Sequence, residues 1–290
     1  MKTYRSILII GALVLASAFA VIGPSSPANA IYADLHLYSA SSTIDSAGAK
    51  SATVSCPAGR YVIGTGAQVN IAQAGKAGVQ SITVLPGGTA VTAVAAESGA
   101  GTSLNWNVKV YATCIEQVFG LYDGYASSPI NSADKGLYTS CPANWQLVGT
   151  GGQVSTPDSG KVLLHTMDPN STNTAAYVSA SEVGAGTPNN WTLKSYVICA
   201  HPDAPYIPRF TAKSAFDSTH AKTVLVKCPT GRRLVGTGFA ITTTGADSHV
   251  LIDEVTPLPD LSGATVVASE TAGGTPNNWY VTASAMCAVM

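Results

Sequence analysis

Charge is scarce in this 290-residue chain. Asp, Glu, Lys and Arg make up 11% of it, with 15 basic residues against 16 acidic ones. That balance leaves no footprint for nucleic acid or for an anionic membrane surface. Aromatics reach only 7%, so the core must be packed mainly from small side chains. Beyond the N-terminus no stretch keeps a helical period, which excludes bundles and helix-borne sites. There is no Cys-x-x-Cys and no His cluster to complete a zinc site, and no nucleophile elbow is present. Nothing sets two carboxylates at a glycosidase spacing. No metal, cofactor or catalytic residue is expected, and whether the chain is an enzyme stays open.

What the chain does have is one motif written three times. Cys56-Pro57, Cys141-Pro142 and Cys228-Pro229 open the copies. Gly64-Thr65-Gly66, Gly149-Thr150-Gly151 and Gly236-Thr237-Gly238 follow at a constant offset. Each copy then runs through Glu97, Glu182 or Glu270 to Asn105-Trp106, Asn190-Trp191 or Asn278-Trp279, and closes at Cys114, Cys199 or Cys287. Self-similarity of this kind marks three copies of one structural unit. They are placed at residues 31–115, 116–200 and 201–290, after a processed segment at 1–30.

Residues 1–30 read as a signal peptide. Lys2 and Arg5 precede an apolar stretch from Ile7 to Ile22, and Ala28-Asn29-Ala30 supplies the small residues of a cleavage site. Its removal leaves 13 basic against 16 acidic residues, no membrane insertion, and a secreted, extracellular chain. In an exported protein, two Cys per copy at equivalent places read as a disulfide framework. Repeat symmetry favours Cys56–Cys114, Cys141–Cys199 and Cys228–Cys287.

Alternation is widespread. Trp106, Val108, Val110, Ala112 and Cys114 share one parity, and Asn107, Lys109, Tyr111 and Thr113 share the other. Copies two and three repeat this, so Trp and Cys lie on the buried face of a strand. About five short strands per copy, with Gly- and Pro-rich turns, give an all-β fold of three homologous, disulfide-closed antiparallel units. Two architectures stay open: three sheets around a pseudo-threefold axis, or three small β-sandwiches in tandem.

The opening Cys56-Pro57-Ala58-Gly59 and Cys228-Pro229-Thr230-Gly231, the Asn-Trp pairs and the closing Cys199-Ala200 resemble repeats of secreted actinobacterial proteins of unassigned function. Asn144 departs from the Gly of that pattern. More distantly, a Cys-Pro-x-Gly entry in three disulfide-bearing copies is similar to the vitelline membrane outer layer family. That resemblance implies a β-prism of three sheets.

Candidate sites fall into two groups. The repeated Trp106, Trp191 and Trp279 read as core anchors, and Glu97, Glu182 and Glu270 as acceptors for amides of the following turn. The Gly-Thr-Gly runs precede strand-like sequence, so they suit a bulge or close sheet contact and not a phosphate loop. Residues that break the repeat are where a grafted function would lie. One aligned position reads Ile82, His165 and Asp253, and the next Thr83, Thr166 and Glu254. Aromatics outside the pattern, Trp145, Tyr122, Tyr125, Tyr206 and Phe210, could stack on sugar rings. The residues expected to contact a ligand are therefore Trp145, Tyr122, Tyr125, Tyr206, His165, Asp253 and Glu254. The expected function is non-catalytic binding of a glycan or cell-envelope surface, lectin-like and without nucleic acid. A secreted polysaccharide hydrolase using Asp253 or Glu254, or a structural subunit of an extracellular complex, is the alternative.

Overall fold

The computed structural model describes residue 32 and residues 34–116, 120–245 and 249–290. The expected signal peptide lies outside the described residues. Among them there is no α-helix, and each copy contributes six strands. Copy one holds β1 (His36–Ser41), β2 (Ala49–Ser55), β3 (Arg60–Asn70), β4 (Ala77–Val84), β5 (Ala90–Glu97) and β6 (Asn107–Glu116). Copy two holds β7 (Leu121–Ser127), β8 (Lys135–Ser140), β9 (Gln146–Ser155), β10 (Val162–Pro169), β11 (Ala175–Glu182) and β12 (Thr192–Ala200). Copy three holds β13 (Arg209–Lys213), β14 (Ala221–Lys227), β15 (Arg232–Thr243), β16 (Val250–Pro257), β17 (Gly263–Glu270) and β18 (Trp279–Val289). The strands arise from alternation: β2 and β14 bury every second residue, which places Ala52, Val54, Val224 and Val226 inside.

Three antiparallel six-stranded sheets result. Sheet I runs β1-β6-β3-β16-β17-β14, sheet II runs β2-β5-β4-β9-β12-β7, and sheet III runs β13-β18-β15-β10-β11-β8. No sheet belongs to one copy. Each copy places three strands in one sheet and three in the next, so the arrangement is not three sandwiches in tandem. The halves join through only two residue pairs: Gln68–Glu254 and Ala67–Val255 in sheet I, Ser81–Gln153 and Ile82–Gly152 in sheet II, Thr166–Ala240 and Met167–Phe239 in sheet III.

The Gly-Thr-Gly runs meet at the centre. Thr65 Oγ1 donates to the Thr150 carbonyl (2.7 Å), Thr150 to Thr237 (3.1 Å), and Thr237 back to Thr65 (2.7 Å). This closed cycle is a threefold relation expressed in hydrogen bonds. It satisfies three hydroxyls that are almost wholly buried. Each first glycine also sits at a β-bulge, where the register slips between Val62 and Gly64, between Ile198 and Cys199 opposite Gly149, and between Leu234 and Gly236.

The Cys pairs form the three within-copy disulfides, Cys56–Cys114, Cys141–Cys199 and Cys228–Cys287, and no cysteine is free. Closing loops of 58 and 59 residues stabilises by about 4 kcal/mol each in the chain-entropy account. Three such bonds fit an oxidising, extracellular environment. The turn after each opening Cys needs a left-handed residue: Gly59 (φ 82°), Asn144 (φ 69°) and Gly231 (φ 80°). Asn144 fits because Asn enters that region at lower cost than other side chains.

Candidate functional site

The repeated Trp, Glu and Lys form one structural cluster per copy. Trp106, Trp191 and Trp279 are at most 1% exposed. Glu97 Oε2 accepts the Thr102 amide at 3.0 Å, Glu182 that of Thr187 at 3.1 Å and Glu270 that of Thr275 at 3.2 Å. The other oxygen of Glu97 and of Glu270 accepts the indole N–H of Trp106 (3.0 Å) and Trp279 (2.9 Å). A buried lysine covers each ring: Lys50, Lys135 and Lys222 lie 5.1, 3.6 and 4.7 Å from the indole centroids. Lys50 and Lys222 are bonded to Asp45 and Asp217. Those bonds, with backbone amides, hold both carboxyls down at about 2.

Copy two differs. Asn131 replaces the Asp, and Lys135 donates to Asn131 O and Oδ1 and to Ala133 O. Burial then lowers the Lys135 pKa, against the pull of Asp134 and Glu182. Trp191 Nε1 and Glu182 Oε1 are buried without a hydrogen-bond partner among the described residues. These clusters bind the chain to itself.

The repeat-breaking positions need a correction. Register slips fall between Val79 and Ser81, Leu164 and Thr166, and Ile252 and Glu254. The equivalents of His165 and Asp253 are therefore bulged at Gln80, not Ile82, and Glu254 corresponds to Thr166 and Ser81, not Thr83. All three bulged residues, Gln80, His165 and Asp253, are polar and 6–7% exposed. His165 and Asp253 are thus buried. Glu254 lies at the junction of sheet I, where its Oε2 accepts from Gln68 Nε2 (3.2 Å).

Asp253 Oδ2 accepts the Ser269 hydroxyl (2.6 Å), while Oδ1 has no hydrogen-bond partner among the described residues. Burial dominates and raises its pKa to about 7, against the Ser269 hydrogen bond and the pull of the Gly75 amide. The folded state therefore holds a proton that the unfolded chain releases near the ordinary aspartate value of 3.8. This contribution is fully present below that value and is lost as pH rises towards 7. Urea unfolding should show wild type losing on the order of 3 kcal/mol relative to Asp253→Asn between pH 4 and pH 8. Parallel pH profiles for the two proteins would refute the assignment.

Of the five expected aromatics, Phe210 on β13 is partly buried against the core, and the other four fall into two clusters and one isolated ring. Trp145 packs edge-on against Tyr122 (6.2 Å) and His201 (5.1 Å), beside the Cys141–Cys199 bridge. Tyr206 is 65% exposed in the connector before β13 and has no ring neighbour among the described residues. Tyr125 is 61% exposed on β7 and pairs across the sheet with Tyr196 of β12, ring centroids 5.6 Å apart. Lys194 places its ammonium 4.9 Å from the Tyr125 ring. The Tyr196 hydroxyl donates to Gln153 Oε1 at 2.9 Å.

These groups line a groove of about 390 Å³ on the outer face of sheet II, with Thr83, Leu85, Pro86 and Asp123. Tyr196, Lys194, Gln153 and Asp123 were not singled out from the sequence. The only available signal was that Tyr196 and Lys194 share the solvent parity of β12. The groove offers an aromatic platform, a cation, one carboxylate and an amide, which is a hydrogen-bonding set without a second acid. Among the described residues no group of three or more His, Cys, Asp or Glu is placed to hold a metal ion. No protein-family model matches this chain, and no curated protein matches it significantly.

Proposed function

We propose that this is a secreted, non-catalytic binding protein that recognises an extracellular glycan through the groove on sheet II. The observation that carries this reading is the exposed Tyr125, packed at a tilt against Tyr196 and flanked by Lys194, Gln153 and Asp123. An amphipathic ring exposed to this extent costs apolar hydration unless something covers it. A pyranose covers it with C–H groups and turns its hydroxyls to the polar rim. A groove of this volume falls within the range of small-ligand sites. The hydrolase alternative rests on Asp253 and Glu254, but one is buried against Ser269 and the other is bonded to Gln68. They do not converge on this groove, whose single carboxylate is Asp123.

Retention of the full chain on cellulose, chitin, curdlan and isolated cell walls tests the reading. Wild type should bind at least one of them. Tyr125→Ala should bind it at least tenfold more weakly, a loss of about 1.4 kcal/mol or more, with an unchanged melting temperature. No retention on any matrix, or full retention of Tyr125→Ala, would count against the proposal.

A further inference from the structure

We propose that the outer face of sheet III carries a second saccharide-contact site, built from different positions of the repeat, so that the protein is bivalent. This rests on the reading of Tyr125 given above. In sheets I and II, Tyr111 and Tyr196 donate their hydroxyls to Gln68 (3.0 Å) and Gln153 (2.9 Å). Strand register puts Ser284 and Ala240 at those two places in sheet III. Two long side chains are thus replaced by a hydroxymethyl and a methyl group. Arg209 reaches Ser284 there, and the same face carries a groove of about 470 Å³, lined among others by Tyr138, Tyr177, Thr166, Asp168, Arg209 and Ala240.

Its walls are organised. Tyr138 is 66% exposed and lies 4.7 Å from Tyr177 across the β8–β11 pair. Gly136 makes this possible, since a Cβ there would overlap the Tyr177 ring and hydroxyl. On the other side Arg209 is paired with Asp168. Ser284 Oγ ties them together, accepting from Arg209 Nε (3.2 Å) and donating to Asp168 Oδ1 (2.5 Å). Both charged side chains are less than one-fifth exposed, so their orientation is fixed before any ligand arrives.

A guanidinium uses only part of its five donors here, and a carboxylate keeps free lone pairs. The pair presents donors and acceptors side by side with no net charge. That suits adjacent hydroxyls of a neutral sugar and gives no preference for an anion. Together with the tyrosine pair it repeats the chemistry of sheet II. Among the described residues sheet I has no such site, because Leu225 and Thr265 replace Tyr138 and Tyr177, and Tyr111 is buried. The two sites flank the β7–β8 edge of copy two, and a polymer with many equivalent residues is cross-linked by such a protein.

Titration calorimetry of the full chain with cellohexaose, laminarihexaose and chitohexaose, and turbidity with the corresponding long polymers, test this. Wild type should bind two molecules of one hexasaccharide and cross-link its polymer. Tyr125→Ala and Tyr138→Ala should each bind one and lose cross-linking, and the double variant should bind none. All three should keep the wild-type circular dichroism, because both rings are exposed. One site that is lost in Tyr125→Ala and untouched in Tyr138→Ala would overturn the second site and leave the first. One site lost only in Tyr138→Ala would overturn bivalency and the reading of Tyr125. A wild type that neither binds nor cross-links any probe would overturn both.

Discussion

Gly236→Ala should yield no folded protein, and Gly64→Ala and Gly149→Ala should fail in the same way. An added Cβ at these positions would overlap the carbonyl oxygens of Val148, Val235 and Ile63 respectively. The obstacle in each case is backbone from another copy, itself held in a sheet, so no rotamer change can relieve it. The three contacts close a ring through the three copies, as the Thr65–Thr150–Thr237 hydrogen bonds do, but in the opposite sense. Separating the copies enough to admit a methyl group would break that ring and leave buried hydroxyls unpaired. A penalty of more than about 4 kcal/mol per substitution, on the scale of severe core disruption, is expected. Gly48→Ala is the control: its nearest neighbour, Glu97 Oε2, would be in ordinary contact at 3.8 Å, and it should fold normally. Soluble yield and urea unfolding decide between these outcomes. A folded Gly236→Ala with wild-type stability would show that the centre is looser than the close approach implies.

The same centre shows how far the sequence could be read. Alternation assigns each strand a buried face, and equal spacing pairs the cysteines within a copy. Both signals are local to one copy, and both the strand-rich fold and the disulfides follow from them. Exchange of half-copies between sheets leaves no such trace. It depends on which strand lies beside β3, β9 or β15, and two residue pairs per junction are too few to mark a sequence.

The misplacement of Ile82 has a similar cause. Aligning the copies on Pro86, Pro169 and Pro257 is natural in a sequence, yet Pro169 and Pro257 end β10 and β16 while Pro86 lies two residues beyond β4. The bulges at Gln80, His165 and Asp253 fix the true frame, and a bulge is a property of pairing. The candidate site was legible in part for the same reason. Tyr125 stood out as an aromatic outside the pattern. Its partner Tyr196 could be found only through the register that sets β7 beside β12.

Trp279→Ala should cost about 3–5 kcal/mol and largely abolish folded protein, as should Trp106→Ala and Trp191→Ala, because each empties a fully buried site. The sharper test separates packing from the indole hydrogen bond. Trp279→Phe removes the N–H that Glu270 accepts at 2.9 Å, and Glu270→Gln puts an amide where both oxygens had donors. Each should cost about 1–3 kcal/mol, since a buried polar group loses its partner. Measured together, their costs should add to less than the sum of the singles, by at least about 0.5 kcal/mol, because both remove the same interaction. Copy two supplies the internal reference. Trp191 Nε1 and Glu182 Oε1 make no bond to each other, so Trp191→Phe and Glu182→Gln should combine additively. Urea unfolding of the six variants gives both coupling energies under one set of conditions. Equal coupling in copies two and three would mean that the indole–carboxylate bond contributes nothing beyond packing. Strong coupling in copy three alone would show that the repeated glutamate serves the tryptophan as well as the turn.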